Sequence, residues 1–179
     1  MKTIYVRRGT GDVLARIPLC CRVSVFLLLG RCLTAAIQTE PTVQGAYTND
    51  YRVINLGPAL PAEQERYGGL VFSRDDPNIL LICGNANEDA GKIYSVRVAR
   101  DQGGHVSNFI GKASFFANAP FNDGGLAYGP EGVLFYARYP KDEIGQIKPG
   151  STNVDWVVSL KPTVTGSLGG LNFVPRGFP

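Results

Sequence analysis

Three Gly-Gly-Leu triplets, beginning at Gly68, Gly124 and Gly169, set the grammar of this chain. They lie 56 and 45 residues apart, and the residues after the first triplet are answered in order by those after the second. Leu70-Val71-Phe72 corresponds to Leu126-Ala127-Tyr128. The turn Asp75-Asp76-Pro77-Asn78 corresponds to Gly129-Pro130-Glu131-Gly132, and both are built from residues that tight turns use. The apolar run Ile79–Cys83 is matched by Val133–Ala137, and Lys92–Val96 by Glu143–Ile147. A continuous apolar run of this length is the pattern of a strand covered on both faces. Val106–Ala117 reads as an outer strand, and Pro149-Gly150 turns the chain into Val154–Leu160. A third unit opens with Gly169-Gly170-Leu171-Asn172-Phe173 and is cut off at Pro179.

No stretch sustains a helical period, because Gly or Pro (22 and 12 residues) interrupts almost every candidate. Short antiparallel strands in units of roughly 40–50 residues predict an all-β chain built of propeller blades. A sandwich is the alternative, since it also joins strands by Gly-rich turns, but it rarely repeats sub-elements in order at this spacing. Residues 37–179 at about 45 per blade supply about three blades, and closure needs at least four. The expected architecture is therefore an incomplete β-propeller of about three antiparallel blades over residues 67–179, the last truncated. A leader, 1–36, and a polar entry segment, 37–66, precede it. The entry segment carries one strand, Tyr51–Leu56, whose apolar residues alternate; Pro61–Arg66 reads as one helical turn or a loop. A fragment of a longer protein, a truncated gene product and one part of an oligomeric ring all fit such an arc. Its open blade edges are an expected route to self-association.

The run from Asp123 through Gly124-Gly125-Leu126-Ala127-Tyr128-Gly129-Pro130-Glu131-Gly132-Val133-Leu134-Phe135-Tyr136 resembles blades of six-bladed propellers. These include the NHL-repeat proteins and the calcium-dependent gluconolactonase and senescence-marker group. The resemblance covers about two blades and the start of a third; many unrelated activities share the fold. In the gluconolactonase-like group the Asp of an Asp-Gly-Leu/Met start sits at the central channel and can ligate metal. Asp123 is the matching position here, with an extra Gly before Leu126; Tyr67 and Leu168 stand there in the other units. The implied ion is calcium, which takes six to eight oxygens, and Asn118, Asn122 and Asn172 are further candidates by type alone. The competing expectation is that Asp123 bonds backbone N–H groups of its own Gly-Gly turn.

Charge separates the leader from the rest. Six of the 18 Lys/Arg lie in residues 1–36 against one of the 15 acids, leaving 12 basic and 14 acidic residues in 37–179. The net charge of +3 thus belongs to the leader, and the balance elsewhere excludes a polyphosphate-binding surface, so no nucleic-acid partner is expected. The leader itself reads as a signal peptide. A basic region ends at Arg22, Val23–Gly30 is apolar, and Thr34-Ala35-Ala36 offers cleavage after Ala35 or Ala36. The long basic region and Arg31 leave an uncleaved anchor or an early start codon as alternatives. The apolar run is far short of the ~20 residues a span needs, so no stable membrane span is expected.

Of the four cysteines, Cys20, Cys21 and Cys32 lie in the leader, so residues 37–179 hold only Cys83 and no internal disulfide. Cys83 closes an apolar run, the setting of a buried, inert thiol. The loops Asn85–Asp89 and Lys141–Glu143 read as solvated rather than calcium-binding. His105, the only histidine, gives no support to a metal cluster or a Ser-His-Asp triad. Trp156, Tyr136, Tyr139 and Phe135 are expected to pack between blades. Two functions are compatible with these residues. One is a secreted, non-catalytic binding module for a ligand or protein that the residues do not specify. The other is a calcium-dependent lactonase or hydrolase-like enzyme resting on Asp123.

Overall fold

The computed structural model describes residues 42–61, 64–166, 169–175 and 177–178, all within the compact unit Glu40–Pro179. The leader lies outside the described residues. Eight strands form two four-stranded antiparallel sheets, each with its strands in chain order. The first holds β1 (Leu70–Phe72), β2 (Ile79–Gly84), β3 (Lys92–Arg100) and β4 (Val106–Asn118). The second holds β5 (Asn122–Tyr128), β6 (Leu134–Arg138), β7 (Glu143–Ile147) and β8 (Trp156–Ser159). The described residues form an all-β structure, apart from short 3-10 turns, whose two sheets divide the sequence as the repeat does. Among the described residues no helix is long and apolar enough to cross a membrane.

Strand β2 shows why its sequence is apolar throughout. Alternate side chains of a strand point to opposite faces. Leu81 and Cys83 enter a cluster with Ile93, Ala117, Leu126, Leu134, Tyr136 and Ile147, which joins the two sheets. Leu80 and Ile82 enter another with Tyr94, Val96, Val98 and Leu60 on the far side of the first sheet. The second sheet turns Leu126, Leu134, Tyr136 and Ile147 toward the first, and their register places Leu126 opposite Tyr136 and Leu134 opposite Ile147. Burying side chains of this size stabilises by about 1.5–3 kcal/mol each before chain entropy is counted.

The sheets meet closest at their first strands. The Gly69 N–H donates to the Asp123 carbonyl at 2.7 Å. A Cβ at Gly69 would lie 2.9 Å from the Gly124 oxygen and 2.9 Å from the Leu126 Cβ, closer than real side chains come. The third Gly-Gly-Leu docks on the second sheet at equivalent positions. A Cβ at Gly125 would lie 2.7 Å from the Leu171 Cβ, with the Gly169 carbonyl also in its way. Two residues on, the Phe173 ring meets Phe135 edge-on with centroids 4.9 Å apart.

Three expectations are corrected. Tyr51–Leu56 is not a strand: Tyr51, Val53 and Ile54 are exposed, and no sheet edge pairs with them. The segment is held by side chains instead, Tyr51 edge-on to Tyr47 and Arg52 paired with Asp101 at 2.6 Å. The entry segment is not polar and exposed throughout, since Leu60 and Gln64 are buried, Leu60 against the first sheet. Trp156 does not pack between units: it is 63% exposed on the edge strand β8.

Candidate functional site

Asp123 lies where the first strands of the two sheets touch. Its half-buried carboxylate has Oδ2 3.6 Å from the position a Cβ on Gly169 would take. The expectation that it caps its own Gly-Gly turn does not hold, because Gly124 and Gly125 form no turn. They lie inside β5, where three residues between Asn122 and Leu126 face the single residue Ala137 between Arg138 and Tyr136. The extra glycine is absorbed as a bulge. Among the described residues the Asp123 carboxylate accepts no hydrogen bond, and no three His, Cys, Asp or Glu side chains gather around one point.

The three candidate asparagines do not join it as a ligand set. Asn118 donates to the Asn153 side chain at 2.9 Å. Asn172 is exposed and its Oδ1 accepts the Phe173 N–H. Asn122 is fully buried, and its Nδ2 donates to the carbonyls of Gly84 and Ala119, both at 3.0 Å. Its own carbonyl accepts the Asn87 N–H at 2.8 Å. Asn122 therefore pins the loop after β2 to the start of β5. Two glycines make room for it: a Cβ at Gly68 would lie 2.6 Å from Oδ1, and one at Gly91 2.5 Å from Nδ2. Only its position beside Asp123 singles Asn122 out in the sequence; its partners are as distant as Gly84.

The loops are structural in the same sense. Glu88 pairs with Arg66, and Asp142 with Lys161 at 3.5 Å. Arg138 holds Glu143 at 3.1 Å, and Lys141 lies 4.3 Å over the Phe121 ring. His105 is exposed with Nδ1 3.3 Å from the Asp101 carboxylate. The backbone N–H groups of His105 and Gly103 hold the Asp101 carboxyl below its ordinary range. Cys83 is sealed in the core, and burial pushes its thiol up to about 12, the reverse of an activated nucleophile.

Where β1 and β5 end, a cleft of about 190 Å³ opens between the sheets, lined by Ser73, Arg74, Tyr128, Leu134, Ile147 and Lys148. Its lining mixes apolar side chains with the cations Arg74 and Lys148 and the Asp75 carboxylate. Burial raises the Tyr128 hydroxyl, while bonds to Ser73 and the Arg74 backbone work against that rise. Ser73 Oγ also accepts the Asp75 N–H at 3.2 Å, so it serves its turn and is not poised for attack. In comparisons with known proteins, no family model, curated protein or solved structure matches the chain.

Proposed function

We propose that the two sheets and the third Gly-Gly-Leu are successive blades of an incomplete β-propeller that serves as a secreted, non-catalytic binding module. The carrying observation is the contact made twice at equivalent positions. Leu126 seats on Gly69, and Leu171 seats on Gly125. Radial repetition stacks the inner strand of each blade on that of the blade before it, so one local contact recurs once per blade. The engagement of Asn122, His105, Ser73 and Cys83 in the scaffold supports binding over catalysis.

The calcium-dependent lactonase alternative depends on Asp123, and calorimetric titration of the wild type and Asp123→Ala with calcium separates the two readings. The binding-module reading expects the same titration from both proteins. Saturable calcium binding that Asp123→Ala abolishes would overturn it. Export is tested by the mass of the protein recovered outside the membrane of a secreting host. Its first residue is expected to be Ala36 or Ile37. An exported form that retains Met1 would overturn the signal peptide.

A further inference from the structure

We infer that this protein assembles head to tail, with Leu70 of one copy seating on Gly170 of the next. The inference rests on the blade reading and names a second copy of the chain as the partner of Leu70 and Gly170. The three glycines that precede the three leucines are equivalent by the repeat, yet they differ in what covers them. Gly69 is buried under Leu126 and Gly125 is buried under Leu171. Gly170 is exposed, with nothing among the described residues within 4 Å of the position a Cβ would take. The leucines divide in the complementary way: Leu126 is 6% exposed and Leu171 half-buried, whereas Leu70 is 60% exposed. Among the described residues one glycine seat is therefore unfilled and one leucine unseated, the two halves of a contact that the chain makes twice within itself.

The face around Leu70 suits that partner. Leu70 and Phe72 pair in register with Ile82 and Leu80, so all four point away from the second sheet. Leu60 and its neighbour Ala59 cover the β2 row of this face, where Leu80 and Ile82 are buried. In the β1 row the Arg100 guanidinium lies 4.8 Å over the Phe72 ring, and Leu70 beside it stays open. The corresponding row of the second sheet, Leu126 and Tyr128, lies against the first sheet. A contact between two different patches is heterologous, so it propagates into a ring or a filament and does not stop at a dimer.

The test uses the full chain and three samples besides the wild type: Leu70→Glu, Gly170→Glu and their equimolar mixture. Both positions are open, so each variant is expected to keep the wild-type unfolding midpoint. Sedimentation velocity of the wild type should show a mass that rises past two chains as concentration increases. Each variant alone should stay at one chain. The mixture should form a two-chain species and stop there, because Leu70→Glu retains the glycine seat and Gly170→Glu retains the leucine. A monomeric wild type, a variant that associates as the wild type does, or a mixture that stays monomeric would each overturn the assembly. Association driven by the leader falls in the second class, since neither substitution touches it. Gly125→Val separates this from the blade reading. A lowered unfolding midpoint there, together with a monomeric wild type, would overturn the assembly and leave the stacked blades standing.

Discussion

Tyr136→Ala is expected to cost about 3–5 kcal/mol, the range for removing a large buried aromatic, and to lower the melting temperature by roughly 10–15 °C. The residue is fully buried at the centre of the cluster joining the sheets, and burial pushes its phenol well above the ordinary range. Its hydroxyl reaches the Pro120 carbonyl only at 3.4 Å. Tyr136→Phe should therefore cost less than about 1 kcal/mol. The ring owes its place to Gly145, directly opposite on β7, because a Cβ there would collide with the ring and lie 2.8 Å from the phenol oxygen. Gly145→Ala alone should thus destabilise, although alanine generally suits a strand better than glycine. In the Tyr136→Ala background the same substitution should be neutral or stabilising, because the obstructing ring is gone. Denaturant unfolding of the four proteins gives the cycle directly. Additive losses would show that the ring does not lie over Gly145.

This pair shows how much the sequence could reveal. Gly145 and Tyr136 each fall in a segment with strand patterning, and the repeat places those segments side by side. The pattern finds strands because a sheet buried on both faces demands unbroken apolar residues, as in Ile79–Cys83, and a half-buried one demands alternation. It fails where alternation has no sheet edge to serve: Tyr51–Leu56 alternates, but Tyr51, Val53 and Ile54 remain exposed and the segment is tied down by Arg52 and Tyr47. It fails in the opposite sense at Leu60, which Pro58 and Pro61 mark as loop although it closes the far face of the first sheet. Trp156 misleads through its type. Aromatics dominate cores, but β8 lies at the outer edge of its sheet and all four of its residues are exposed. At the candidate site the sequence draws attention to Asp123, a charge beside glycines. The more constrained neighbour is Asn122, whose role depends on carbonyls that only the fold brings near.

Asn122→Ala should cost about 2–4 kcal/mol, since it removes two buried hydrogen bonds and leaves a cavity between the sheets. Asn122→Asp preserves the shape and reverses the chemistry. An ionised carboxylate there would be fully buried and would face the carbonyl oxygens of Gly84 and Ala119, which now receive N–H groups. Desolvation and those oxygens both disfavour the charged form, so the aspartate's folded pKa is raised above the ordinary value of about 3.9. The sign comes from linkage. Above the folded pKa the unfolded chain carries the carboxylate without penalty, so the variant is at its least stable at neutral pH. As pH falls through the folded pKa the buried group takes up a proton and the deficit shrinks. A protonated carboxyl can donate one of the two lost bonds, so recovery is partial. Urea midpoints of Asn122→Asp and Asn122→Ala, compared at neutral and mildly acidic pH, remove the acid response they share. Asn122→Asp should be the weaker protein at neutral pH and should gain on Asn122→Ala as pH falls. A difference between them that does not change with pH would mean that water reaches residue 122, and the clamp between the sheets would then be open.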